Sequence, residues 1–179
     1  MPDYCDIAPE HEIHGPYHDN EYGFPEKDDS KLFERLVLEI NQAGLSWLTV
    51  LKKRDNFYRA FNGYNIELIA NYGDYDKKRL MSDNSIIRNK LKINSVIYNA
   101  NKIMLIKKEH STFSNWLNNY HPLKKSQWVA LFKDNFKFTG KEITGEFLMS
   151  TGYLSGAHRE DCPIFKKILE LKPPWMNID

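Results

Sequence analysis

The chain has 179 residues, 41% of them hydrophobic and 27% charged, the composition of an ordinary globular protein that forms one domain, residues 1–179. It has no apolar run long enough to cross a membrane, and its acidic, polar start lacks the segments of a secretory signal peptide, so we expect a cytoplasmic protein. The net charge of +1 neither requires nor excludes a nucleic-acid partner.

Helical periodicity runs through almost the whole chain. The residues expected to cap the helix starts, in chain order, are Asp29 or Ser30, Ser46, Asn65, Asp74, Ser111 or Thr112, Ser126 and Thr139. The first of these helices ends at Gly44, a longer helix is expected over 86–108, and a last helix precedes Pro173. Because no sustained apolar–polar alternation indicates a strand, we predict an all-α fold of about eight or nine helices.

Charge is distributed unevenly along the chain. Residues 1–34 carry ten acidic and two basic side chains, a net of −8, whereas residues 77–108 carry nine basic and one acidic side chain, a net of +8. The basic segment can form a phosphate-binding face, although a solvated helix surface would show the same pattern.

Glu39 interrupts an apolar stretch of the first of these helices. At about 100° per residue, it points in nearly the same direction as Leu32, seven positions earlier, and should lie on or beside the buried face. A buried carboxylate is costly unless it is hydrogen-bonded or functional, and burial raises its pKa, as in many catalytic carboxyl groups. The alternative is a residue at the helix edge that pairs with Arg35.

Aromatic and amide side chains surround Glu39 in the sequence. Asn41, Gln42 and Trp47 follow it closely, and Tyr17 and Tyr22 lie in an earlier polar segment. Aromatic walls with amide and carboxyl groups suit a flat heteroaromatic ligand such as a nucleobase. Ordinary core packing is the alternative interpretation.

The two cysteines and two of the histidines form a candidate metal site. Cys5 and His18 lie near the start, and His158 and Cys162 lie near the end at a spacing that shares one face if the segment is helical. Two thiolates and two imidazoles suit a structural zinc ion. Buried cysteines with unrelated histidines remain the alternative, because the two halves are far apart in sequence.

The stretch 83–92 is a candidate helix-hairpin-helix connection between a short basic helix and the long helix. Exposed backbone N–H groups at such a hairpin can bind a DNA phosphate, and neighbouring basic side chains add attraction that is independent of base sequence. The stretch contains no glycine, which is unusual for a tight hairpin.

Several blocks of the chain resemble the DNA-3-methyladenine glycosylase I family. They are residues 17–25 (YHDNEYGFP), 38–54 (LEINQAGLSWLTVLKKR), 86–90 (IIRNK) and 138–140 (FTG), followed by Phe147-Leu148, His158 and Cys162. The second block is highly specific to that family, and the resemblance covers most of the chain.

The resemblance implies a helix-hairpin-helix glycosylase fold in which two helical lobes flank a cleft and one structural zinc joins the chain ends. It implies hydrolysis of the N-glycosidic bond of 3-methyladenine in alkylated double-stranded DNA, with the base flipped out of the stack. We expect a monomer that uses no nucleotide cofactor.

The resemblance also assigns roles to individual residues. Glu39 falls on the carboxylate that recognises the base and favours its cationic form. The residues expected to bind the base are Tyr17, Tyr22, Asn41, Gln42 and Trp47. Those expected to contact DNA are Leu45, which could fill the gap left by the flipped base, and Ser85, Arg88, Lys90 and Lys92. The four zinc ligands are Cys5, His18, His158 and Cys162.

Four positions depart from the family pattern. Ile7 and Tyr22 stand where tryptophans are usual, which bears on lesion specificity, and Ser85 and Leu91 replace glycines near the hairpin, which bears on DNA affinity. Two further functions therefore stay open. One is a non-catalytic protein that binds damaged DNA, and the other is a glycosylase with a shifted preference among alkylated purines.

Overall fold

The computed structural model describes residues 3–177 and contains, within them, twelve α-helices and no β-strand. The helices are α1 (Tyr4–Ile7), α2 (His14–Asn20), α3 (Asp29–Gln42), α4 (Trp47–Lys52), α5 (Arg54–Ala60), α6 (Ile66–Ala70), α7 (Asp74–Ser82), α8 (Lys90–His110), α9 (Phe113–Tyr120), α10 (Lys125–Asn135), α11 (Lys141–Ser150) and α12 (Pro163–Glu170). The prediction of an all-α fold is confirmed for these residues. Positions 1–2 and 178–179 of the predicted domain lie outside the described residues.

The helix count exceeds the predicted eight or nine because several helices are short. The predicted helix after Ser46 is interrupted at Lys53, where α4 ends and α5 begins. The two N-terminal helices were not predicted, since α1 has only four residues and α2 contains glycine and proline. Pro16 is tolerated because it lies in the first turn of α2, where the missing N–H has no helical acceptor. No helix of residues 3–177 is long and apolar enough to span a membrane.

Helix α3 runs through the interior, and every residue from Leu32 to Asn41 is buried. Its N-cap is Asp28, whose carboxylate accepts a hydrogen bond from the Lys31 N–H at 2.9 Å, so the predicted cap at Asp29 or Ser30 is wrong by one or two residues. Asp29 instead accepts hydrogen bonds from two backbone N–H groups at the start of α9, at 3.0 Å each. It therefore caps a helix that is distant in sequence.

The other predicted caps divide into two groups. Ser46, Asn65 and Thr112 each cap the helix that follows, as expected. The starts predicted at Asp74, Ser126 and Thr139 are displaced to Gly73, Lys124 and Gly140. Thr139 is displaced because its hydroxyl donates to carbonyl groups at the end of α10.

The long helix α8 begins at Lys90, later than the predicted start at 86. Asn89 caps it by accepting hydrogen bonds from the N–H groups of Leu91 and Lys92 at 3.0 and 3.1 Å. Residues 83–89 therefore form the connection between α7 and α8, at the place where the sequence predicts a hairpin.

Buried residues from α3 to α11 form one continuous apolar core. Its aromatic centre, contributed by α9, the end of α10 and α11, contains Phe113, Trp116, Phe132, Phe136 and Phe147. A second, smaller cluster joins the chain ends through Cys5, Cys162, Ile164 and Ile168. This packing places the middle of α11 against α3, where the candidate site lies.

Candidate functional site

A pocket of about 440 Å³ lies where α1, α2, α3, α4 and α11 meet. Its lining residues are Tyr4, Ile7, His14, Tyr17, Tyr22, Glu39, Gln42, Ser46, Trp47, Leu48 and Glu146. A cavity of this size, with aromatic walls and a few polar groups, suits a small planar ligand. Glu39 and four of the five residues predicted to bind a base line it together.

Glu39 lies on α3 at the inner end of the pocket and is 3% exposed. Burial is the main cause that raises the pKa of its carboxyl group to about 8, the charge of Glu146 adds to the increase, and Arg35 opposes it. Within residues 3–177, no side chain or backbone group forms a hydrogen bond with this carboxylate. The prediction that Glu39 faces the interior is confirmed.

Arg35 does not form the ion pair with Glu39 that the sequence left open. Its guanidinium group donates instead to the Tyr17 hydroxyl at 3.4 Å, the Ser150 carbonyl at 3.2 Å and the Glu21 carboxylate at 3.1 Å. The carboxylate of Glu39 therefore faces the pocket without a neutralising partner, and a cationic ligand is the occupant that would stabilise its charged form.

The aromatic walls of the pocket are formed by Tyr17, Tyr22 and Trp47. The ring centroids of Tyr17 and Trp47 lie 5.2 Å apart at an interplanar angle of 59°, and those of Tyr17 and Tyr22 lie 5.8 Å apart at 35°. Burial raises the pKa of the Tyr17 hydroxyl well above its usual range, so the phenol is neutral at physiological pH. The walls present neutral π faces to a ligand.

An ion-pair network behind Tyr17 holds this wall in place. Arg54 donates two hydrogen bonds to Glu21, at 2.7 and 2.8 Å, and two to Glu34, at 2.8 and 3.2 Å, while Arg35 also contacts Glu21. The Arg35 guanidinium lies 5.1 Å from the centroid of the Tyr17 ring. The network ties the end of α2 to α3 and α5, and it positions Tyr17 from the side away from the pocket.

Sequence reasoning missed four polar residues that line the pocket: Tyr4, His14, Ser46 and Glu146. The Tyr4 hydroxyl and His14 Nδ1 lie 3.1 Å apart, and the Tyr22 hydroxyl donates a hydrogen bond to Glu146 Oε2 at 3.2 Å. Burial raises the pKa of Glu146, and the hydrogen bond from Tyr22 partly offsets this. One signal in the sequence could have identified Glu146. It is a carboxylate beside an apolar run of α11, as Glu39 is in α3.

Asn41 does not line the pocket. Its side-chain amide is buried and donates to the Val37 carbonyl within α3 at 2.9 Å. Lys92, predicted to contact DNA, is also buried, and its ammonium group donates to the carbonyls of Asn41 and Ala43 at 2.9 and 2.7 Å. Lys92 satisfies backbone carbonyls at the C-terminal end of α3, whereas Asn41 donates to a carbonyl inside the helix, and both arrangements argue against the functional roles predicted for these residues.

The remaining candidate DNA contacts lie on the surface. Leu45 occupies the turn between α3 and α4 and is 40% exposed. It lines a second cleft, of about 600 Å³, which shares Glu39 and Glu146 with the pocket. A nucleotide that enters the pocket from this side would pass Leu45.

The connection between α7 and α8 presents Arg88 and Lys90 to solvent, with Ser85 half-buried. In the absence of glycine, side chains hold the turn, because Asp83 accepts hydrogen bonds from both the N–H and the hydroxyl of Ser85. The Asn89 side chain occupies the N–H groups of Leu91 and Lys92, so any backbone contact to a phosphate must use earlier N–H groups of the connection.

Cys5, His18, His158 and Cys162 lie together in the interior, with their donor atoms all within 4.8 Å of one another. The sulfur–nitrogen distances are 3.7 Å from Cys5 to His158, 3.5 Å from Cys162 to His158 and 3.9 Å from Cys162 to His18. Tetrahedral zinc with typical bond lengths separates sulfur and nitrogen ligands by about 3.6 Å. The donor set and spacing therefore fit a four-coordinate metal ion.

The second ring nitrogen of each histidine in this cluster also has a partner. His18 Nδ1 lies 2.7 Å from an Asp19 carboxylate oxygen, and His158 Nε2 lies 2.7 Å from the Tyr22 carbonyl. Such contacts fix the tautomer that directs the other nitrogen toward a metal. The segment from His158 to Cys162 is a turn that ends at the N-cap of α12, so a helix is not what brings these two residues together.

The model of the methyladenine glycosylase family matches residues 8–130. The chain is 33% identical over 178 residues to the DNA-3-methyladenine glycosylase of Haemophilus influenzae, covering 89% of this chain and 96% of the relative. A structure on 3-methyladenine recognition by 3-methyladenine DNA glycosylase I from Staphylococcus aureus has a TM-score of 0.81, 29% identity and coverage of 90% and 95% of the two chains. A variant of 3-methyladenine DNA glycosylase I in complex with 3-methyladenine has a TM-score of 0.80, 27% identity and coverage of 91% and 97%.

Proposed function

Since this chain belongs to the methyladenine glycosylase family, it is an N-glycosylase that acts in DNA repair, and we propose that it releases 3-methyladenine from alkylated DNA by binding the flipped base against Glu39. The observation that carries this proposal is the carboxylate of Glu39, 3% exposed and without a hydrogen-bond partner among residues 3–177, at the inner end of an aromatic pocket.

The charge of the lesion explains why such a carboxylate selects it. Methylation at N3 gives the base in DNA a positive charge, and normal adenine has none. A cation beside Glu39 lowers the pKa of that carboxyl group and stabilises its ionised form, and this attraction is strong because Glu39 is buried. A neutral base would meet a carboxyl group that burial keeps protonated at neutral pH.

The pocket supplies binding and orientation to a leaving group that is already activated. The planar base packs against the wall that Tyr17 and Trp47 form, and the edge of the base with its exocyclic amine faces Glu39. Because a cationic base leaves as a neutral molecule, the enzyme needs no strong acid. Discrimination between bases then depends mainly on what the pocket admits and stabilises.

We also infer that the protein binds double-stranded DNA with the face that carries Leu45, Arg88 and Lys90. Leu45 lies on the turn beside the pocket, where an apolar side chain can replace a base in the stack. Arg88 and Lys90 are exposed at the start of α8, where they can contact phosphates. The helix-hairpin-helix interpretation of α7, residues 83–89 and α8 belongs to this proposal.

We propose a structural zinc ion held by Cys5, His18, His158 and Cys162. Four protein ligands leave no coordination position for a reacting water, so zinc would connect the two chain ends and take no part in base release. The carbonyl of Tyr22, which contacts His158, links this metal centre to the wall of the pocket.

The test of the activity is chromatographic separation of the bases released from methylated duplex DNA. We expect the wild-type protein to release 3-methyladenine and Glu39→Gln to release it far more slowly, because glutamine cannot supply the charge. Glu67→Gln, at an exposed position of α6 that lines neither the pocket nor the second cleft, is the control and should behave as wild type. Equal release by wild type and Glu39→Gln would contradict the proposed role of Glu39.

A further inference from the structure

We propose that Glu146 is the general base of the reaction, which takes a proton from the water that attacks the sugar. This inference rests on the glycosylase activity proposed above. It assigns to a second carboxylate a task separate from recognition of the base by Glu39.

The position of Glu146 is the first argument. When a flipped base occupies the pocket, its sugar remains attached to the DNA backbone and lies at the mouth. The pocket and the second cleft, which Leu45 also lines, share four lining residues: Glu39, Gln42, Ser46 and Glu146. Of these, only Glu39 and Glu146 carry carboxylates that can accept a proton from water. Glu39 is 3% exposed and faces the base, whereas Glu146 is half-buried and accessible to water.

The hydrogen bonding of Glu146 is the second argument. The Tyr22 hydroxyl donates to Oε2 at 3.2 Å, which fixes the orientation of the carboxylate. Within the described part of the chain, no donor contacts Oε1, so this oxygen is available to a water molecule. A general base needs this combination of a fixed orientation and a free acceptor within reach of the reacting proton.

The charged groups around Glu146 favour its ionised form more than those around Glu39 do. Burial and Glu142, on the same helix, raise the pKa of Glu146, while the Tyr22 hydroxyl and the Lys125 ammonium group of α10 lower it. Across the pocket, Glu39 on α3 has its pKa raised to about 8 and has no hydrogen-bond donor among residues 3–177. Two carboxyl groups in different environments can thus take different roles, as in other enzymes that use a pair.

The chemical step balances with these groups. The water oxygen forms a bond to C1′ of the sugar as the bond from C1′ to N9 of the base breaks. The electron pair of that bond leaves with the base, which becomes neutral, and the water proton passes to Glu146. The products are free 3-methyladenine, an abasic site and a protonated Glu146, which later loses its proton to solvent.

The experiment compares Glu146→Gln with wild type in single-turnover release of 3-methyladenine, with enzyme in excess, across a range of pH. We expect the rate to fall by about 10²-fold or more, as when a general base is removed, and its acid decline to lose the contribution of Glu146 while it keeps that of Glu39. Binding of free 3-methyladenine, measured by calorimetry, should stay at the wild-type affinity. Glu67→Gln removes an exposed carboxylate of α6 that lines neither the pocket nor the second cleft, and it should keep the wild-type rate.

Tyr22→Phe provides an independent variant if Glu146→Gln fails to fold. It removes the hydrogen bond that lowers the pKa of Glu146, so the acid decline of the rate should move to higher pH. A wild-type rate and pH profile for Glu146→Gln would overturn the inference. So would an equal loss of rate and of free-base affinity, which would make Glu146 a base-binding residue. If wild-type protein releases no base, the proposed function itself fails.

Discussion

Replacing Glu39 with glutamine should stabilise the folded protein at neutral pH while it impairs base release. In the empty pocket, the carboxyl group of Glu39 has a pKa of about 8, against 4.5 for an ordinary glutamate. Between these two values, the folded state holds a proton that the unfolded state has lost. The free energy of unfolding must therefore fall as pH rises through this window, and glutamine, which does not ionise, removes that dependence.

The size of the effect follows from the pKa difference. Each pH unit within the window contributes about 1.4 kcal/mol, so the destabilisation from Glu39 reaches about 3 kcal/mol at pH 7. Measured between pH 5 and pH 7, the difference in unfolding free energy between Glu39→Gln and wild type should grow by about 2–3 kcal/mol. For a protein of this size, that corresponds to a rise in melting temperature of roughly 4–12 °C.

Urea unfolding at several pH values provides the assay, because the change with pH is independent of how well glutamine packs. Other titrating groups, including the metal ligands, are common to both proteins and cancel in the difference. Glu67→Gln, which replaces an exposed carboxylate of α6, should give a difference that is nearly constant with pH. A constant difference for Glu39→Gln would refute the argument, because it would show that burial does not raise the pKa of Glu39.

Three other perturbations follow from the structure. Purified wild-type protein should contain about one zinc per chain, and Cys162→Ser should lose the metal together with part of the thermal stability. Wild-type protein that is as stable without metal as with it would contradict this. Lys92→Met should lower the unfolding free energy by about 1–3 kcal/mol, because the Asn41 and Ala43 carbonyls lose their donor, yet leave duplex binding unchanged. Lys90→Met should leave the unfolding free energy unchanged and weaken duplex binding. In filter-binding measurements, the slope of log affinity against log salt concentration should fall in magnitude by about one.

Local sequence was sufficient for the helical class of the fold and for the caps at Ser46, Asn65 and Thr112. Each of these depends on a side chain and an N–H group only three residues apart. The cap at Asp29 was misassigned because its partners are on α9, more than 80 residues later, where no local pattern can indicate them. The short helices α1 and α2 escaped prediction because tertiary packing, rather than their own periodicity, stabilises them.

For the site, the sequence identified Glu39 because one carboxylate in an apolar helix is a local anomaly. The specific blocks around it then connected Tyr17, Tyr22, Gln42 and Trp47 to the same pocket. The sequence could not show that Asn41 turns away from the pocket. Its side-chain amide donates to the Val37 carbonyl of its own helix. Which face of α3 meets the pocket depends on how α3 packs against the other helices.

The tertiary structure alone decided the partners of charged groups that are distant in sequence. Lys92 belongs to a basic segment, and the sequence therefore predicts a DNA contact. The packing of α8 against α3 instead buries its ammonium group, which donates to two backbone carbonyls of the chain. Glu146 lies in α11 without a recognisable motif, and only the contact between α11 and α3 brings it into the lining of the pocket. The sequence determines which side chains can carry charge, but the energy of a charge depends on the groups that surround it, and here these come from other helices.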